Sequence, residues 1–104
     1  MNNIPIQIIN QFFEIEQKIN IQNQSTLFER NFNKLKALFE EEGYLIQDPV
    51  NESYSDSRTD CEASIVGKVT SKMKITKTLK PVIYKKSDNT ILLIQKAVVF
   101  VESI

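Results

Sequence analysis

The segment Leu38–Val50, LFEEEGYLIQDPV, marks the point at which the pattern of this 104-residue sequence changes. Before this segment, apolar residues recur every three or four positions, which is typical of one face of an α-helix. After it, short apolar runs and alternating residues are typical of β-strands. Gly43 is placed to end the last helix because glycine adopts the left-handed conformation at low cost, and Pro49 opposes any continuation. The segment therefore predicts an α+β protein in which the helices come first.

The first predicted helix covers residues 6–21 and has an unusually wide apolar surface. Two stripes lie side by side on it, and a helix that is apolar over so wide an arc is expected to pack against more than one neighbour. The main stripe advances in steps of four, three and four residues and consists of Ile8, Phe12, Ile15 and Ile19. The second stripe consists of Ile6, Ile9 and Phe13.

The second predicted helix follows the mostly polar stretch 20–26 and ends at Glu42. Thr26 and Glu29 have the spacing of a capping box, in which each side chain accepts a backbone N–H at the start of a helix. The apolar stripe of this helix consists of Phe28, Phe32, Leu35 and Phe39.

The width of these stripes predicts self-association. Two helices of about four turns with a short polar connector form an antiparallel hairpin, but one hairpin cannot cover both stripes of its first helix. We therefore expect a dimeric four-helix bundle, in which the main stripe of the first helix and the stripe of the second helix form the interface. A hairpin that folds back on the protein's own sheet is the alternative.

The organisation predicted from these patterns has three parts: a helical hairpin over residues 1–46, a polar connector over residues 47–61 and a small β-domain over residues 62–104. The connector is predicted as a loop because it is rich in serine and aspartate and has no apolar period. The strands expected in the β-domain cover residues 62–67, 72–80, 82–86, 91–94 and 97–101, with a hairpin turn at 87–90.

The strand 72–80 is predicted to have one buried face, with Met73, Ile75 and Leu79, and one face rich in lysine. Lys77 interrupts the buried set, which suggests a strand end or a bulge. The lysines have three interpretations. They protect an edge strand from unwanted pairing, they meet an acidic protein partner, or they bind nucleic acid, which is least favoured because aromatic residues for base stacking are nearly absent.

The composition excludes several classes of function. Lysine and arginine balance aspartate and glutamate at 13 each, which is not typical of proteins that bind nucleic acid or membrane surfaces. Residues 1–67 nevertheless hold five cations and eleven acids, net −6, whereas residues 68–104 hold eight lysines and two acids, net +6. This asymmetry indicates two parts with different surfaces.

Side chains for catalysis or metal binding are also scarce. Without histidine and with a single cysteine, the chain has neither a zinc ligand set nor an internal disulfide, and its two glycines do not form a phosphate-binding loop. Cys61 has no histidine base beside it, so we interpret it as a small residue at a loop–strand junction. We expect no enzyme activity, no catalytic residue, no metal and no cofactor.

The N-terminal sequence MNNIPIQIINQ lacks the basic start of a signal peptide. The longest apolar run, Ala97–Val101, is much shorter than the roughly 20 residues of a membrane helix. We therefore expect a cytoplasmic protein that does not bind membranes.

The order of these motifs resembles the C-terminal part of GrpE, the nucleotide exchange factor of DnaK-type chaperones. In that family a helix ends in a glycine before a short strand, and Gly43 stands at that point. The family's connector has a proline, a Gly-Glu pair and a phenylalanine, which correspond here to Pro49, residues 51–52 and Tyr54. Its His-Glu-Ala step into the β-domain and its closing strand correspond to Cys61-Glu62-Ala63 and AVVFV at 97–101.

The resemblance implies a divergent member that lacks the family's long N-terminal helix. The family's Lys-Gly-Tyr is replaced near Lys80–Ile83, and its Arg-Pro is lost at Gln95-Lys96. The implied function is that of a homodimeric co-chaperone whose β-domain binds the ATPase domain of a DnaK-type chaperone in its open, nucleotide-free conformation. The partner-binding residues that the resemblance implies are Gly43, Leu79, Lys80, Thr90, Val99 and Val101.

Two alternatives stay open. Leu79, Val99 and Val101 have apolar side chains that could equally form the core. The protein could also be a homodimeric adaptor or assembly module, with the same architecture but no exchange activity.

Overall fold

The computed structural model describes residues 4–21 and 25–104, and the side chains of residues 4–21 and 27–104. Two helices and seven strands lie in these residues, which confirms the α+β prediction. The chain divides after Gly43 into a helical unit and a β unit. This division precedes the predicted boundary at residue 46, because Tyr44–Gln47 forms a strand that pairs within the β unit.

The helical unit consists of α1, Ile4–Ile21, and α2, Ser25–Glu41. The ring of Phe12 contacts Phe32 at 5.5 Å and Phe39 at 5.6 Å between ring centroids. A salt bridge of 3.0 Å joins Lys36 of α2 to Glu16 of α1. These contacts join the two helices through apolar packing and one ion pair.

Gly43 ends the second helix as predicted. Its φ of 92° is in the left-handed region, and its N–H donates to the carbonyl of Glu40 at 2.9 Å, a bond typical of glycine-terminated helices. At the other end, α2 begins at Ser25. The predicted capping box depends on the Thr26 side chain, which lies outside the described residues.

The β unit contains two sheets. The three-stranded sheet has the order β1-β5-β6, and the four-stranded sheet has the order β2-β4-β7-β3. All pairs are antiparallel except β3 and β7, which are parallel. The strands are β1 Tyr44–Gln47, β2 Ser53–Tyr54, β3 Cys61–Val66, β4 Met73–Lys80, β5 Val82–Ser87, β6 Thr90–Gln95 and β7 Ala97–Ser103.

The strands β3 to β7 confirm the predicted series, and β1 lies where the resemblance to GrpE implied a short strand. The two-residue strand β2 was not predicted, because it is too short to show an alternation within the polar connector.

The core of the β unit is built around β7. The alternate side chains of Ala97, Val99 and Val101 on this strand are fully buried, and Ile75 and Val82 pack with them. Burial of a valine side chain contributes about 1.5 to 3 kcal/mol to folding. Val99 and Val101 are therefore core residues, and the expectation that they contact a partner is corrected.

The strand β4 changes register twice along β7, between Ile75 and Lys77 and again between Thr78 and Lys80. The first shift confirms the bulge suggested by Lys77. Because an extra residue reverses the faces of those that follow, Thr78 is buried at 6% exposure and Leu79 is 42% exposed. The prediction that Leu79 lies on the buried face is wrong for this reason.

The buried hydroxyl of Thr78 has no hydrogen-bond partner among the described residues. Thr78→Val replaces it with a methyl group of similar shape, so we expect the free energy of unfolding to rise by about 1 kcal/mol. Urea denaturation measures this change.

Thr76→Val is the matched control on the same strand. The Thr76 hydroxyl donates to the carbonyl of Phe100 at 3.4 Å, so this substitution is expected to lower stability slightly. A loss of stability in Thr78→Val equal to that in Thr76→Val would contradict the prediction.

Candidate functional site

An apolar groove of about 540 Å³ lies between α1 and α2. Six of the eight residues predicted to form a dimer interface line it, namely Ile8, Phe12, Ile15, Phe32, Leu35 and Phe39. Ile4, Gln7 and Gln11 complete the lining, so no charged side chain takes part. The other two predicted residues, Ile19 and Phe28, are partly buried and are not part of the lining.

The two stripes of α1 have different environments. Ile9 and Phe13, from the second stripe, are buried at 0% and 4% exposure. Ile8 and Ile15, from the main stripe, are 53% and 50% exposed along the groove, opposite Leu35 at 39%. The chain thus covers one stripe and leaves much of the other accessible. The dimeric four-helix bundle stays a prediction, and this accessible stripe is the surface that it requires.

The remaining candidates for partner contact are exposed but do not form one cluster. Leu79 and Lys80 are exposed at the end of β4, and Lys80 lies just before the start of β5. Thr90 is also exposed, but it pairs with Ser87 at the far end of β5. A six-residue strand is about 17 Å long, so Thr90 and Lys80 lie at opposite ends of this strand. Gly43 is partly exposed at the end of the helical unit.

A cluster of charged residues around Arg58 fixes the connector. The Arg58 guanidinium donates to Asp60 at 2.7 Å and to Glu52 at 2.7 Å, and also to the carbonyl of Ser53 at 3.0 Å. The backbone of Glu52 is in turn hydrogen-bonded to Ile75 of β4 at 2.9 Å. The sequence offered one signal for this cluster, since Arg58 is the only cation of the connector and has acids on both sides.

Cys61 is the first residue of β3, and its side chain is buried in the core of the β unit. Burial, together with the negative charge of Asp60, raises the pKa of the Cys61 thiol to about 11. Because the thiolate is the nucleophile, a neutral, buried thiol is not prepared for covalent chemistry. The position agrees with the loop–strand junction predicted for Cys61.

The sequence did not predict the exposure of β6. Four consecutive aliphatic residues, Ile91 to Ile94, are between 41% and 56% exposed on this strand. A short apolar run is typical of a strand buried on both faces, so the pattern alone gave no signal that β6 lies at the open edge of a sheet.

The described residues contain no cluster of three or more histidine, cysteine, aspartate or glutamate side chains that could hold a metal ion. Neither α1 nor α2 is long and apolar enough to cross a membrane. No family of known proteins, no curated protein and no solved structure matches this chain.

The cluster around Arg58 predicts a pH dependence of stability. The hydrogen bond from Arg58 holds the pKa of Asp60 below its ordinary value of 3.8. A depressed pKa in the folded state adds stability above about pH 4, and this stability is lost as the pH falls through the folded pKa. Wild-type protein should therefore lose stability more steeply than Asp60→Asn below pH 4, as measured by urea midpoints at several pH values.

At neutral pH, Asp60→Asn should be less stable than wild type by about 1 to 2 kcal/mol. Asp56→Asn, an exposed position on the same connector, is the control and should follow the wild-type curve. Parallel curves for wild type and Asp60→Asn would contradict the role assigned to the ion pair.

Proposed function

We propose that this protein is a divergent GrpE-like co-chaperone, a homodimer that promotes nucleotide release from a DnaK-type chaperone through its β unit. The observation that carries this proposal is the order of the elements. A helical hairpin ends at a left-handed glycine, and a short strand, a connector and a two-sheet β unit follow it. The proposal rests on this order and on the short motifs at the same places.

The groove of the helical unit supports the dimeric part of the proposal. Covering the exposed half of Ile8, Ile15 or Leu35 would contribute about 1 kcal/mol for each side chain. In a two-fold symmetric pair every such contact occurs twice. Because the lining contains only apolar side chains and two glutamines, no charge would lose its hydration when a second copy covers it.

The proposed mechanism requires no catalytic group. A protein that binds the open conformation of a chaperone more tightly than the closed one shifts the population towards the open state, from which nucleotide dissociates. Leu79 would provide an exposed apolar contact and Lys80 a positive charge for an acidic surface of the ATPase domain. Thr90 would belong to a separate contact, because it lies at the other end of β5.

Two observations favour the second candidate, a homodimeric adaptor without exchange activity. Burial of Val99 and Val101 removes two of the six expected partner contacts, and the distance between Lys80 and Thr90 divides the remaining ones. An adaptor would keep the groove and the fold but would need no contact with a chaperone.

The dimer is tested by Ile15→Lys, which places a charge in the groove. Wild type should sediment with the mass of two chains of 12.0 kDa, and the variant with the mass of one, because a lysine there would lose its hydration in the dimer. Analytical ultracentrifugation at micromolar concentration measures the mass.

Leu27→Lys is the matched control, since Leu27 is 72% exposed on α2 and does not line the groove. It should leave the mass of two chains unchanged, and circular dichroism should show equal helix content in both variants. A stable wild-type monomer at micromolar concentration would contradict the dimer.

Exchange activity is tested with a DnaK-type chaperone that carries a fluorescent nucleotide, by stopped-flow measurement of its release. Wild type should accelerate release, and Leu79→Ser should need about tenfold more protein for the same effect, as for the loss of a central apolar contact. Val69→Ser, at an exposed valine outside the strands, should behave as wild type. An unchanged release rate at saturating wild-type protein would contradict exchange and favour the adaptor.

A further inference from the structure

The strand β6 has an open edge that is apolar. It pairs with β5 on one side, and no described residue pairs with it on the other. Its exposed side chains include Ile91 at 56%, Leu92 at 52% and Leu93 at 41%. In an antiparallel ladder, every second residue of an edge strand directs its N–H and C=O outwards. The edge of β6 therefore offers both backbone hydrogen bonds and aliphatic side chains to another strand.

Another open edge of the protein has a different character. The strand β2 pairs with Met73 and Lys74 of β4, and the backbones of Asn51 and Glu52 bond to Ile75, so in the described residues only the remainder of β4, residues 76–80, is open on this side. That remainder carries Lys77 and Lys80 and two register shifts, features that prevent unwanted strand pairing. The segment Thr90–Leu93 of β6 contains no lysine, no proline and no register shift. A register shift of the β5–β6 pair comes after this segment, at Ile94. Protection against pairing is thus present at β4 and missing along Thr90–Leu93.

The surroundings of β6 are positively charged. On β5, Lys86 lies opposite Ile91 and Lys85 opposite Leu92, and Lys96 directly follows β6. The ammonium of Lys85 lies 4.1 Å from the centroid of the Tyr44 ring on β1, so Lys86 and Lys96 are the lysines nearest the open edge. Residues 82–96 hold three lysines and one acid, Asp88, which gives a net charge of +2. An added strand would lie about 10 Å from β5, two strand spacings away. That distance slightly exceeds the Debye length of about 8 Å at physiological salt, so salt weakens the attraction between the lysines and negative charges on the added strand.

We propose that β6 is a docking edge for an extended segment of another protein, one in which aliphatic residues alternate with acidic residues. The segment would add a fourth strand to the sheet β1-β5-β6, with backbone hydrogen bonds along β6. Its aliphatic side chains would lie on one face of the sheet, beside Leu92, and its acids on the other face, which is the face of Lys86.

The positive charge favours this occupant over a second copy of the chain. Two copies joined through β6 would bring Lys86 and Lys96 of each copy towards those of the other, and like charges oppose this pairing. An acidic segment gains from the same lysines. The inference goes beyond the proposed function, because it needs neither the helical groove nor a chaperone.

The test uses a fluorescein-labelled ten-residue peptide of alternating valine and glutamate, titrated with the full chain and followed by fluorescence anisotropy. We expect saturable binding that weakens at high salt. The N–H of Ile91 points to the open edge, since Thr90 pairs with Ser87 across a two-residue turn. Ile91→Pro removes this donor and should weaken binding about tenfold, whereas Ile91→Val keeps it and should bind as wild type.

Charge is tested by a second matched pair. Lys86→Gln should weaken binding about threefold, and Lys77→Gln, which removes the same charge from the other sheet, should leave it unchanged. A peptide with an N-methyl group on every residue keeps its charge but has no N–H donor on either edge, so it cannot pair with β6 and should not bind. The comparison of the two peptides uses the wild-type chain, so it tests the proposal even if Ile91→Pro fails to fold.

Two results would overturn the proposal. One is equal binding of the N-methylated and unmodified peptides, which would show that charge alone attracts them. The other is a lower sedimenting mass for the Ile91→Pro variant than for wild type, which would show that a second copy of the chain occupies the edge. If only the Ile15→Lys variant sediments with a different mass, the result concerns the helical groove and does not bear on the proposal for β6.

Discussion

The β unit depends on the central strand β7. This strand pairs with β4 on one side and, in parallel orientation, with β3 on the other, and its alternate residues Ala97, Val99 and Val101 are fully buried. The parallel pair brings Cys61, at the end of the connector, beside Ala97. The strand thereby fixes where the connector enters the sheet and which side of β4 faces the core. These two constraints determine which side chains of the unit are exposed.

An accessible apolar surface has been described in each unit, and the two surfaces differ in charge. The groove between α1 and α2 is lined by aliphatic, aromatic and amide side chains only. The exposed edge of β6 is bordered by lysines on β5 and by Lys96. An uncharged surface suits a copy of itself, because no like charges meet across a two-fold axis. A positively charged one suits a different, acidic partner. In the two proposals, charge thus distinguishes the surface for self-association from the surface for another molecule.

The periodicity of the sequence predicted α1, α2 and the strands β3 to β7, because the spacing of apolar residues reflects which side of each element is buried. The glycine that ends α2 was predicted for an equally local reason. Features that depend on pairing between distant residues could not be predicted from this periodicity. A bulge was suggested at Lys77, but the exchange of sides between Thr78 and Leu79 depends on the register with β7. The exposure of Ile91 to Ile94 depends on the position of β6 in its sheet.

The same limit applies to the connector, whose serine and aspartate content is typical of a flexible linker. Arg58 joins Glu52 to Asp60, and backbone hydrogen bonds join the segment to β4. Cleavage by a protease requires a stretch of chain to detach from its surroundings and enter an active site. The anchored connector resists such detachment. Proteases are therefore expected to cleave it less readily than its composition alone would suggest.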